Sequence, residues 1–142
     1  MIQGFFVPAV LPQPLVLVAV RIDAFGPDIA AVPFVIDTGA AHTCITAQDS
    51  LHAFGQNPAD LDSAAWPDAV ELAGVGGSLR AKVSPASFWF RNTDGSVEML
   101  STNIRIGDMR SGALPSLLGW DLLKSFRLVV DGPAQTATLE GV

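Results

Sequence analysis

An apolar run, Pro33-Phe34-Val35-Ile36, ends abruptly in Asp37-Thr38-Gly39-Ala40, and far downstream a second run, Leu117-Leu118, ends in Gly119. The change from strand-forming side chains to an acid, a hydroxyl and a glycine marks the end of a strand and the start of a tight turn. An Asp-Thr-Gly triplet alone fits any such turn, in which Asp37 need only accept backbone N–H bonds. The flanks and the order of the two segments are what make the pair specific. Ala40-Ala41-His42-Thr43-Cys44-Ile45 follows the first, and Trp120-Asp121-Leu122-Leu123 follows the second.

The rest of the chain reads as all-β. Gly and Pro together are frequent (13 and 10 of 142 residues), apolar residues make up 49% and charged residues only 15%. That is the composition of a turn-rich globular chain with material for a core, and we read residues 1–142 as one domain. Ile2 to Val7, Leu15 to Ile22 and Ala31 to Ile36 form successive strand signals, with a turn at Phe25-Gly26-Pro27-Asp28. Val70-Glu71-Leu72 and Leu79 to Val83 flank a glycine-rich tip, Gly74-Val75-Gly76-Gly77, and predict a β-hairpin. Ser87 to Arg91 and Val97 to Ile106, joined by Asn92-Thr93-Asp94-Gly95, predict another. A last pair of strands, Arg127 to Val130 and Gln135 to Leu139, turns at Asp131-Gly132-Pro133.

Two short helical segments interrupt this pattern. Thr46 is placed to cap a helix that has Asp49 in its first turn, Leu51 and Phe54 as its buried side and Gly55 as its stop. Asn57-Pro58 repeats the capping logic for a further turn. Leu122 to Phe126 predicts a short helix, with Asp121 stabilising its first turn.

Charge and cysteine content exclude several functions. A formal charge of −6, with 8 basic residues scattered singly, argues against nucleic acid or an anionic membrane surface as partner. Cys44 is the only cysteine and His42 and His52 the only histidines, so metal chemistry has almost no ligands to draw on and no metal or organic cofactor is expected. Met1 to Val20 is apolar but lacks a basic start and is broken by Pro8, Pro12 and Pro14, so it reads neither as a signal peptide nor as a membrane span. A cytoplasmic location is expected.

In its two motifs, and across residues 31 to 131, the chain resembles the retropepsin-like aspartic proteases, the retroviral proteases and their single-domain cellular relatives. The resemblance implies a small closed antiparallel β-barrel with one or two short helices. It implies that Asp37 is the catalytic acid, that Thr38, Gly39 and Ala40 support the catalytic loop, and that Leu117, Leu118 and Gly119 pack beneath it. The hairpin tip Gly74, Val75, Gly76 and Gly77 would be a flap closing over substrate. Two carboxylates must share one water and one proton for this chemistry. With a single Asp-Thr-Gly in 142 residues, the active unit would be a homodimer contributing one Asp37 from each subunit, acting on an extended polypeptide.

Two departures qualify the resemblance. Viral members commonly carry a carboxylate where this chain has Ala41 and an arginine where it has Trp120, and those charges pair to brace the dimer. Their joint absence points to a cellular relative held by apolar contact. Viral members also interleave their chain ends in a shared sheet, for which Ile2 to Val7 and Thr136 to Leu139 are available here, whereas other cellular relatives build the interface differently. The other reading is a catalytically silent module of the same fold that dimerises or binds peptides.

Overall fold

A computed structural model describes residues 1–6, 13–61, 70–74, 77–107 and 115–141. Its strands are β1 (Ile2–Gln3), β2 (Phe5–Phe6), β3 (Pro14–Ile22), β4 (Ile29–Ile36), β5 (Cys44–Ile45), β6 (Val70–Gly74), β7 (Gly77–Arg91), β8 (Val97–Gly107), β9 (Leu117–Leu118), β10 (Phe126–Asp131) and β11 (Thr136–Gly141). Helix α1 spans Ala47–Phe54 and α2 spans Trp120–Leu123, with single 3-10 turns at Asp23–Phe25 and Pro58–Asp60.

Six strands close on themselves in the order β3-β4-β9-β5-β8-β7, because β7 pairs back onto β3 through Ala19↔Trp89 to Ile22↔Ala86. Most neighbours are antiparallel, but β4 runs parallel to β9 and β5 parallel to β8. The fold is therefore the small closed β-barrel expected, with two parallel contacts inserted where the two sequence motifs meet. A second sheet, β1-β11-β10, gathers the two ends of the chain. Ile2 and Gln3 pair with Leu139 and Thr138 of their own chain.

Strict alternation on β3 fills the barrel. Val16, Val18, Val20 and Ile22 point inward and are buried, and they meet Val32, Phe34, Phe88, Phe90, Ile104 and Ile106. Phe34 and Phe88 pack at 6.4 Å between ring centroids, and Phe90 packs against Phe126 at 4.9 Å with the rings inclined at 57°, which joins the barrel core to the second sheet. Gly4 marks the crossing between the two sheets. A Cβ there would lie 2.7 Å from the Leu15 carbonyl oxygen, so only glycine lets the strands approach this closely.

The two hairpins predicted separately share one strand. β7 is continuous over 15 residues and pairs with β8 along its length, from Ala81↔Gly107 to Arg91↔Val97. Its other edge pairs first with β6, as far as Ala81, and then with β3 from Ala86. Pro85 falls in the gap between those partners, where a residue without an N–H costs no ladder bond. The backbone N–H of Ala24, in the first 3-10 turn, donates to Ser84 Oγ in the same gap.

Helix α1 follows its signals except on its buried side. Thr46 Oγ1 accepts the Asp49 N–H at 3.1 Å, and Gly55 closes the helix in the left-handed conformation at φ 65°. Leu51, expected to be buried, is 52% exposed, and the inward residues are Ala47 and Ser50 with Phe54 partly buried. Small inward side chains let the helix lie close against the barrel, which leaves Leu51 on the rim. Replacing Thr46 with Ala should lower stability by about 1 kcal/mol through loss of the cap. Urea denaturation checks this, and an unchanged midpoint would show that the cap is energetically silent.

Candidate functional site

The end of β4 delivers Asp37 to the surface. Val35 and Ile36 pair in parallel with Leu117 and Leu118, and the ladder continues past the strand, with the Asp37 N–H donating to the Leu118 carbonyl at 3.1 Å. The chain then turns: the Ala40 N–H donates to the Asp37 carbonyl at 3.2 Å. Inside that turn the Gly39 N–H donates to Asp37 Oδ1 at 2.9 Å, which fixes the carboxylate orientation. Asp37 remains partly accessible, and Thr38 is exposed with no hydroxyl partner among the described residues.

Beneath this turn the second motif passes at van der Waals limits. A Cβ on Gly119 would lie 2.5 Å from the His42 carbonyl carbon and 2.9 Å from its nitrogen, so the residue at this crossing is restricted to glycine. Helix α2 starts here. Its first N–H groups have no partners within the helix, and the catalytic-loop candidate supplies them: Trp120 N–H donates to the Ala40 carbonyl at 2.7 Å and Asp121 N–H to the Ala41 carbonyl at 3.2 Å.

Two buried hydroxyls hold the junction on either side of the β5–β9 pairing, Cys44↔Leu117. Thr43, 0% exposed, donates from Oγ1 to Asp121 Oδ1 at 2.7 Å and accepts the Gly119 N–H at 3.0 Å. Its own N–H is shared between the two Asp121 oxygens at 3.1 and 3.0 Å. Ser116, also 0% exposed, donates to Asp49 Oδ2 at 2.5 Å and accepts the Thr46 N–H at 3.1 Å, while its carbonyl receives the Val35 N–H at 2.9 Å. In each case one hydroxyl uses its donor on a carboxylate and its acceptor on a backbone N–H, the stronger kind of hydrogen bond in the first instance.

Sequence reasoning gave Asp121 only the helix-stabilising part of this arrangement. Asp121 Oδ1 does accept the Leu122 N–H at 2.9 Å, but most of its bonds go to Thr43, and Thr43 and Ser116 were not singled out. The signal available was positional: Thr43 and Asp121 each lie a few residues beyond a motif that must come together in space.

Cys44 borders the site. Burial pushes its thiol up to about 11, with Arg105 opposing and the Asp121 and Asp37 carboxylates adding to the rise. His42 and Ala41 are exposed, and Trp120 is 51% exposed, so an accessible indole and a methyl stand beside the Asp37 turn. Gly74 pairs with Gly77 at the end of the β6–β7 hairpin, whereas Val75 and Gly76 lie outside the described residues.

No family model matches the chain, and no curated protein matches it. Among solved structures it is similar to the EIAV protease in complex with the inhibitor HBY-793, with a TM-score of 0.51 and 15% identity, over 83% of this chain and 91% of that one. Likeness at this identity concerns the fold, which is retropepsin-like.

Two outcomes follow from the geometry. Thr43→Val removes a carboxylate-bound hydroxyl and strands the buried Gly119 N–H, so it should cost roughly 3 kcal/mol, and Thr43→Ser should restore much of that. A Thr43→Val variant that keeps parental stability in urea denaturation while Thr43→Ser loses it would show that packing of the methyl, not the hydroxyl, matters. The raised thiol also predicts an alkaline effect. Since the folded pKa exceeds the unfolded one, stability is fully present below the unfolded value and lost as pH rises from about 9 to about 11. The difference between parental protein and Cys44→Ala in that window isolates this loss; identical pH slopes would contradict it.

Proposed function

We propose that the chain is a homodimeric aspartic endopeptidase in which Asp37 of each subunit holds one water between two carboxylates that share a proton. One carboxylate takes a proton from the water as it attacks the peptide carbonyl, and the other protonates the leaving nitrogen. The observation that carries this reading is the Asp37 turn itself. Its carboxylate stands accessible at the end of a buried strand and is oriented by the Gly39 N–H, with the Leu118-Gly119 backbone locked beneath it. The likeness of the whole barrel to a protease fold supports it.

The remaining roles follow from that reading. The Thr38 hydroxyl, exposed and without an intrachain partner among the described residues, is available to bond across a two-fold axis. Ala41 and Trp120 offer apolar contact there. The β6–β7 hairpin acts as the flap, and substrate lies beneath it as an extended strand whose side chains alternate between pockets.

Asp37→Asn should reduce hydrolysis by roughly a thousandfold while leaving fold and assembly unchanged, because an amide keeps the volume but cannot serve as the base. Digestion of a peptide library, read by mass spectrometry, measures it alongside sedimentation. Near-parental turnover by the variant sinks the mechanism. A parental protein that cleaves nothing in the library while sedimenting as a dimer favours the silent, peptide-binding module instead.

A further inference from the structure

Strand β10 is the last strand of the second sheet, and its outer edge has no partner among the described residues. Which of its backbone groups face that edge can be deduced. The Gly4 N–H donates to the Ala137 carbonyl at 2.7 Å, so Ala137 directs its polar groups toward the β1 side of β11. Backbone bonds alternate along an antiparallel strand, so Thr136, Thr138 and Glu140 are the residues that bond toward β10. Their partners are Asp131, Val129 and Arg127, which leaves Phe126, Leu128 and Val130 presenting N–H and C=O groups to the open edge.

The side chains on this edge are self-complementary. Arg127-Leu128-Val129-Val130-Asp131 carries a cation, three apolar residues and an anion, and Val129 and Val130 are 41% and 47% exposed. Flanking charges normally discourage edge pairing. Here one antiparallel register turns them into an attraction. With Val129 opposite Val129 of a second copy, Arg127 faces Asp131 at both ends, and Leu128 faces Val130 on the core side. That register also satisfies the backbone, since the outward-facing Leu128 and Val130 become the hydrogen-bonded pairs. Arg127 already contacts Glu140 at 3.8 Å, so it would stand between two carboxylates.

We infer that two copies of this chain join edge to edge through β10, about a two-fold axis at Val129, merging their second sheets into one. This rests on the homodimer reading above and specifies where that dimer is held. The interface is isologous, as a closed dimer requires. Gly119, which packs beneath the Asp37 turn, is separated from β10 only by α2 and a short turn, so the pairing edge and the candidate catalytic loop are joined by a short stretch of chain.

Val129→Cys tests the inference in the full chain. In a non-hydrogen-bonded antiparallel pair, opposite Cα atoms lie about 4.5 Å apart, within disulfide reach. Mild oxidation should yield a covalent dimer on non-reducing electrophoresis. The parental chain, which has only Cys44, and Val97→Cys, exposed on the barrel wall, should not crosslink. In sedimentation, Arg127→Asp should weaken the dimer by about tenfold, and adding Asp131→Arg should restore it. An active parental dimer in which Val129→Cys gives no more crosslink than Val97→Cys overturns this interface and leaves the protease reading standing. A parental chain that sediments as a monomer at every concentration overturns the interface, and if it still cleaves peptides it overturns the dimer reading as well. A β10 edge that binds an unrelated extended peptide with no self-association also overturns it.

Discussion

The structure depends on two strands that cannot bind each other well by backbone alone. β5 and β9 are two residues each, and a ladder that short supplies little. What holds them is a pair of buried hydroxyls, Thr43 and Ser116, one beyond each end of the pairing, each joining a backbone N–H to a carboxylate. Because β9 is also the parallel neighbour of β4, anything that fixes β9 fixes the turn carrying Asp37. This junction is one link in the closed ring of strands, so the stability of the fold and the geometry of the candidate site share the same few bonds.

That arrangement explains why Gly119 admits no side chain. The first turn of α2 must come close enough for its N–H groups to reach the Ala40 and Ala41 carbonyls, and at that distance His42 occupies the space a Cβ would need. The Asp37 turn is thus held from below by backbone, with the Asp37 carboxylate oriented by the Gly39 N–H yet still partly accessible. An accessible carboxylate on a rigid backbone support is the arrangement that positional catalysis needs.

Much of this was legible in the sequence, and the reasons differ by element. Thr46 and Gly55 could be placed because capping and left-handed termination are local chemistry, decided by residues within one turn. The strand from Leu15 to Ile22 could be placed because a run of aliphatic and β-branched residues between turn signals is local chemistry, whereas which of its side chains point inward came from the barrel. The continuous β7 could not, since its two halves, Leu79 to Val83 and Ser87 to Arg91, read as separate strands until the change of partner across Pro85 is known. Leu51 was misjudged because helix periodicity selects a face but does not say how close that face lies to its support. Asp37 and Gly119 were recognisable as a pair, whereas the roles of Thr43 and Ser116 depend on contacts with residues over sixty positions away, Asp121 and Asp49.

On the proposed mechanism, hydrolysis needs one Asp37 from each of two chains. Co-refolding a fixed amount of parental chain with increasing Asp37→Asn chain tests it most directly. Each mixed dimer would carry a single carboxylate, so peptide hydrolysis should fall toward zero as the variant chain is added in excess, while total dimer by sedimentation stays intact. Hydrolysis that remains proportional to the parental chain alone, whatever the excess of Asp37→Asn, would contradict the account.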